Sequence, residues 1–175
     1  AYFIRIGGCD VGCHWCDVKE SWNAELHPPT KTTNIVSNVI KYAKTVVVTG
    51  GEPSMWNLDY ITNSLLKNNI KTHIETSGAY KLTGKWDWIC LSPKKTKLPL
   101  DTIYPKANEL KIIVVNKNDF KFAEEQALKV TKNCELFLQP EWSKREEMIP
   151  LIVDYVMKNP QWKISLQTHK YLNIP

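Results

Sequence analysis

Along the chain, short apolar runs rich in Val and Ile alternate with longer stretches whose apolar residues recur at helical spacing. The short runs, at residues 2–6, 45–48, 72–74, 88–91, 110–115, 135–138 and 163–166, read as strands. Helical periodicity covers 35–42, 58–67, 120–130 and 146–157. Thr33 or Asn34 serves as cap for the first helix, and Asn118 or Asp119 for the third. Ser143 followed by Glu146 predicts a capping box for the fourth, and Pro160 punctuates its far end. Strand and helix in repeated alternation predict an α/β fold with a mainly parallel sheet and right-handed crossovers.

Sheets of this kind carry their chemistry in the loops beyond the carboxyl ends of the strands. Here strand one runs into a cysteine cluster, strand two into Thr49-Gly50-Gly51-Glu52-Pro53 and strand three into Glu75-Thr76-Ser77-Gly78. Ser92-Pro93-Lys94 follows strand four, Gln139-Pro140 strand six and Gln167-Thr168-His169-Lys170 strand seven. Only Asn69, Lys71, Asn159 and similar residues mark the opposite ends. The polar groups gather on one rim, which predicts an active site built across the sheet.

At 175 residues and 43% hydrophobic, the chain is long enough for a real core, and we expect one domain over 1–175. No apolar run approaches the roughly 18 residues a membrane span needs, so a soluble, cytoplasmic protein with no membrane partner is expected. The chain opens on Ala1 and enters a strand at once, which leads us to expect further natural sequence upstream. Net charge is +5, from lysines spread along the chain with one tight group at Lys94, Lys95 and Lys97. A soluble surface or a cleft for an anion accounts for this, and nucleic-acid binding does not follow from it. Of five cysteines, Cys9, Cys13 and Cys16 lie close together, which favours metal ligation over a disulfide framework. Cys90 and Cys134 sit singly in apolar runs and read as small core residues.

The segment Cys9-Asp10-Val11-Gly12-Cys13-His14-Trp15-Cys16 has the spacing C-x3-C-x2-C, which lets one short loop present three thiolates to three corners of a 4Fe-4S cubane. One iron is then left without a protein ligand and is open to a chelating small molecule. Two other readings stay open: zinc held by the three thiolates and His14, or a disulfide with one free thiol. Gly50-Gly51-Glu52-Pro53 can be a simple turn, and its glycines also permit close approach of another group.

The cysteine loop, together with Gly50-Gly51-Glu52 after a Val-rich strand, resembles the radical S-adenosylmethionine (SAM) superfamily. The resemblance implies an open, partial TIM-like β/α barrel, with SAM chelating the free iron through its amino and carboxylate groups. It further implies that Gly50, Gly51 and Glu52 meet the SAM ammonium, that Trp15 lies near the adenine, and that Ser77, Ser92 and Lys94 hold ribose and carboxylate. Gln139 is placed among the same cofactor contacts.

Phe3-Ile4-Arg5-Ile6-Gly7-Gly8-Cys9, Trp15-Cys16-Asp17, the Glu75–Gly78 and Ser92–Lys94 loops, Glu109-Leu110-Lys111 and Gln167-Thr168-His169-Lys170 extend the likeness over nearly the whole chain. Together they resemble the 7-carboxy-7-deazaguanine synthase family. Its members convert 6-carboxy-5,6,7,8-tetrahydropterin into 7-carboxy-7-deazaguanine, on the route to queuosine and other deazapurines, with SAM as a catalytic cofactor and magnesium as a requirement. The implied course is hydrogen abstraction from C6 of the pterin, ring contraction, loss of ammonia and return of the hydrogen. Arg5, Thr49, His169 and the terminal carboxylate of Pro175 are implied as substrate contacts, and Asp17 lies where magnesium is expected. A flavodoxin- or ferredoxin-type electron donor and a homodimer are implied as partners, with no direct nucleic-acid contact.

Two departures from the family pattern stand out. Its members carry a Gln-Gly-Glu-Gly segment ahead of the first cysteine, which this sequence begins too late to contain. Many also place Thr or Ser after the Cys-Asp pair, where this chain has Val18, which offers no oxygen to magnesium. The alternatives are a radical SAM activase that abstracts hydrogen from a partner protein, and a non-catalytic zinc or nucleic-acid-binding domain.

Overall fold

A computed structural model of the chain describes residues 1–174. Seven strands, β1 (Tyr2–Ile6), β2 (Thr45–Gly50), β3 (Lys71–Thr76), β4 (Trp88–Leu91), β5 (Glu109–Val114), β6 (Glu135–Pro140) and β7 (Trp162–Ile164), form one sheet. They lie in sequence order and every neighbouring pair is parallel. The helices are α1 (Thr32–Tyr42), α2 (Asp59–Leu66), α3 (Asn118–Ala127), α4 (Arg145–Lys158) and the short α5 (Thr168–Tyr171). With β1 and β7 at its two edges the sheet is an open, partial barrel. Among the described residues no helix is long and apolar enough to cross a membrane.

Parallel strands covered on both faces by helices are apolar throughout, but β2, β3 and β5 alternate. In β5 the buried Leu110, Ile112 and Val114 interleave with the partly exposed Glu109, Lys111 and Ile113. The apolar set packs on the helices: Val46, Val48 and Ile74 with Val36, Val39 and Leu65, and Leu110, Ile112, Val114 and Leu138 with Ala123, Met148 and Ile152. The other set faces a cavity, where charged side chains on strands have a use. The period-two pattern therefore records a one-sided core in a parallel sheet.

Strand positions follow the apolar pattern to within a few residues, whereas the helix starts differ from those the expected caps would set. Ser143 lies in a 3₁₀ turn (Trp142–Lys144), where its N–H and hydroxyl both donate to the Glu141 carboxylate. The capping box does not form, and α4 begins at Arg145. Asn118 and Asp119 lie inside α3, and Asp119 turns back to accept from the backbone N–H groups of Val115 and Asn116. α1 starts at Thr32, ahead of both expected caps. The four residues of α5 are too few to show a period.

The core reading sets a stability test. Leu110 is fully buried between β4, β6 and the helices, so Leu110→Ala is expected to cost about 2–5 kcal/mol. Urea unfolding should show a lower midpoint with an unchanged slope.

Candidate active site

Residues 7–31 leave β1 as a loop that carries the three neighbouring cysteines and is held mainly by backbone. Gly51 N–H donates to Ile6 O at 2.8 Å and Glu52 N–H to Gly8 O at 2.8 Å, so the turn after β2 clasps the root of the cysteine loop. The glycines permit this closeness. A Cβ on Gly51 would stand 2.2 Å from Gly8 O, and one on Gly50, whose φ is +122°, 2.3 Å from Ile6 N. Farther along, Gly8 N–H donates to Ser21 O and Cys9 N–H to Trp22 O, while the Trp22 indole N–H points at Cys16 Sγ, 3.4 Å away.

Two carboxylates pin the loop from opposite sides. Asp10 accepts from the Lys97 ammonium at 2.8 Å and from the Tyr80 hydroxyl, and the Lys97 hydrogen bond holds its carboxyl below the usual range. Asp17 accepts from Gln167 Nε2 at 2.8 Å and from the Lys170 ammonium. Burial pushes Asp17 up, but the Lys170 and Gln167 bonds outweigh it and leave the carboxyl below its ordinary value. Asp17 follows β1 and Lys170 follows β7, so this pair bridges the two open edges of the sheet at the rim.

The turn after β2 ends in Glu52, which is 2% exposed. Its Oε1 accepts from Ser54 N at 3.0 Å, from Ser54 Oγ at 2.7 Å and from the Thr76 hydroxyl, and its Oε2 accepts from Ser77 N at 2.7 Å. Oε2 keeps acceptor capacity beyond that bond. Opposite, Lys94 donates to Ser92 O at 2.5 Å and Ser92 Oγ at 2.6 Å, and its ammonium lies 5.7 Å from the Trp15 ring centroid. Burial lowers the Lys94 pKa.

Between these walls the sheet supplies a charged floor. Register sets Glu75, Cys90 and Glu109 side by side on β3, β4 and β5. Glu109 accepts from Trp88 Nε1 at 3.1 Å and from the Cys90 thiol at 3.3 Å, and Lys111 donates to Glu75 at 3.1 Å. Burial alone would weaken the Lys111 charge, yet the neighbouring carboxylates of Glu75 and Glu109 offset it and raise the pKa above the usual lysine range. Ser165 donates to Gln139 Oε1 at 3.1 Å.

Floor and rim enclose a cavity of about 560 Å³, within the range of small-molecule sites. Its lining includes Arg5, Cys9, Cys13, Trp15, Cys16, Asp17, Thr49, Gly50, Gly51, Glu52, Ser77, Ser92, Lys94, Gln139 and His169. These are all the site residues expected from sequence except Pro175, which lies outside the described residues. Sequence reasoning gave no role to Glu75, Glu109, Lys111, Glu141, Trp142 or Lys170, which also line it. The alternation of charged and apolar residues in 109–114 was the signal available for Glu109 and Lys111.

The donors present can be tested against the groups they would hold. The three cysteines face one cavity from one loop, as a cubane with an open iron requires. A single zinc ion fits poorly: His14 is exposed and outside the lining, and among the described residues no three His, Cys, Asp or Glu side chains converge on one ion. The magnesium expected beside Asp17 also finds no fit, because Val18 has no oxygen and Asp17 Oδ2 is taken by an ammonium and an amide.

Comparison with known proteins agrees with this geometry. The family model of the Radical SAM superfamily matches residues 3–89. The 7-carboxy-7-deazaguanine synthase of Flavobacterium psychrophilum is 71% identical over 175 residues, covering 100% of this chain and 83% of that protein. The synthase of the same name from Synechocystis sp. is 48% identical, with 99% and 84% covered. The crystal structure of QueE from Escherichia coli superposes with a TM-score of 0.81 at 28% identity, covering 94% of this chain and 84% of that one.

The five thiols should differ in reactivity in the metal-free protein. Cys9 and Cys16 are partly exposed; Cys90 and Cys134 are buried, and burial pushes the Cys90 thiol far up and the Cys134 thiol to about 11. Iodoacetamide is expected to modify Cys9 and Cys16 well before Cys90 and Cys134, with all five reacting in urea. Peptide mapping by mass spectrometry reads the order.

Proposed function

The chain belongs to the 7-carboxy-7-deazaguanine synthase family of the radical SAM superfamily, and on that footing we propose that it is a lyase converting 6-carboxy-5,6,7,8-tetrahydropterin into 7-carboxy-7-deazaguanine with loss of ammonia. The observation that carries this reading is the convergence of the cysteine loop, the Gly-Gly-Glu turn and the Ser92–Lys94 loop on one cavity, in a chain so similar to synthases along its full length.

When bound, the 4Fe-4S cluster and SAM supply one-electron chemistry and a carbon radical able to abstract hydrogen. The chain's residues position and shield the reactants. Cys9, Cys13 and Cys16 are the three cluster ligands. Glu52, with acceptor capacity left on Oε2, and the backbone of Gly50 and Gly51 suit an ammonium group. Lys94, fixed by Ser92, suits a carboxylate, and Trp15 offers an aromatic face to a base. Ser77 and Gln139 add polar contacts. Arg5, Thr49 and His169 lie on the substrate side, where the Arg5 fork matches a carboxylate or carbonyl edge. The Glu75–Lys111 pair on the floor holds a partly buried ammonium beside a more exposed carboxylate.

In this reading one domain works as a homodimer in the cytoplasm, reduced by a flavodoxin- or ferredoxin-type donor and contacting neither nucleic acid nor membrane. The similarity to synthases favours small-molecule chemistry over activation of a protein partner.

Anaerobic reconstitution with iron and sulfide, followed by SAM, dithionite and 6-carboxy-5,6,7,8-tetrahydropterin, should give a brown protein that forms 7-carboxy-7-deazaguanine by chromatography and mass spectrometry. SAM cleavage without that product would exclude this substrate. A second expectation concerns Trp22: an N–H aimed at a ligating sulfur stabilises the reduced cluster. Trp22→Phe should therefore shift the cluster potential to a more negative value in an EPR-monitored redox titration.

A further inference from the structure

The Asp17 carboxylate stands where a divalent cation is expected, and one of its two oxygens already holds an internal cation. Its Oδ2 accepts from Gln167 Nε2 at 2.8 Å and from the Lys170 ammonium. The next residue, Val18, lines the same cavity and brings no oxygen donor. A magnesium ion at Asp17 would have to displace a fixed ammonium or sit beside it against like-charge repulsion. The donor set is built around an internal cation.

Lys170 is unusually well placed for such a role. Its side chain is 21% exposed, and its ammonium lies 5.0 Å from the centroid of the Trp142 ring. That ring is itself held by the Arg145 guanidinium at 4.3 Å and by the edge of Tyr171 at 5.1 Å. Asp17 takes one of the three ammonium donors, and Lys170 shares the cavity lining with Arg5 and His169. An ammonium tethered on two sides has given up most of its side-chain entropy before a ligand arrives, so a further charge-assisted bond forms at little ordering cost.

We propose that Lys170, oriented by Asp17 and Trp142, is a substrate-positioning residue that meets the substrate's carboxylate in place of a magnesium ion, so that this chain needs no divalent cation for turnover. The inference rests on the substrate reading given above. It predicts that the family's magnesium requirement is lost here through the pairing of Val18 with the Asp17–Lys170 bridge.

The test uses reconstituted holoenzyme and steady-state kinetics with 6-carboxy-5,6,7,8-tetrahydropterin, in EDTA and in added magnesium. Wild type is expected to show the same KM and kcat in both, within about 2-fold. Lys170→Met, carrying full iron and sulfide, should raise KM about 10- to 100-fold, the loss of one charge-assisted hydrogen bond, with a smaller effect on kcat. Lys170→Arg, which keeps the charge, should recover most of that loss. Tetrahydropterin without the 6-carboxylate should bind wild type and Lys170→Met equally, because the group that Lys170 recognises is missing. Loss of wild-type turnover in EDTA with recovery on magnesium would overturn the proposal, as would an unchanged KM in Lys170→Met. A wild-type enzyme that turns over no pterin under either condition would instead remove the substrate reading itself.

Discussion

The site depends on two backbone hydrogen bonds, Gly51 N–H to Ile6 O and Glu52 N–H to Gly8 O. Each is worth only about 1 kcal/mol in net stability, yet they decide where the cysteine loop begins relative to the Gly-Gly-Glu turn. They require Gly51 to approach Gly8 more closely than any side chain would allow. From that junction the loop runs outward with its thiols toward the cavity, and Glu52 runs inward to gather Ser54, Thr76 and Ser77. The glycines of this turn, open in sequence to a reading as close approach of a cofactor, are already demanded by the packing of one loop on another.

The sheet divides its labour by face. The helix side carries the apolar core, while the cavity side carries Arg5, Glu75, Glu109, Lys111 and Gln139. Partly buried ion pairs add little stability and are costly when broken, so the floor is a burden on folding that the helix-side core must offset. Its members are nonetheless well partnered, with Lys111 on Glu75 and both oxygens of Glu109 accepting. Among the described residues no buried side-chain polar atom lacks a partner. A fixed array of charges in a confined space is the kind of environment that holds reactants without having to reorganise around them.

Much of the arrangement was legible in the residues. Apolar runs located the strands because every strand must bury one face, and local spacing revealed the cysteine loop because one loop supplies all three thiols. What stayed hidden was long-range pairing between polar groups. Asp10 and Lys97 are 87 residues apart and Asp17 and Lys170 are 153, and nothing local to either pair marks it. Charged residues on strands read as solvent-facing unless the second face is known to enclose a cavity, which is why Glu75, Glu109 and Lys111 carried no assigned role. Ser143 with Glu146 was misleading for a related reason: the motif was present, but Glu141 held the serine first.

The bridge from Asp17 to Lys170 also has a meaning in time. Ribosomal synthesis delivers the amino-terminal part of a chain first, and contacts between distant residues close last. The three thiols therefore leave the exit tunnel long before the residues that latch their loop across the two sheet edges. Until residue 170 emerges, the nascent rim has its thiols and its Gly-Gly-Glu clasp but lacks the Asp17–Lys170 bridge on the β7 side. The rim can therefore close only after translation has passed that point, and the order of the polypeptide itself acts as a timer on its completion.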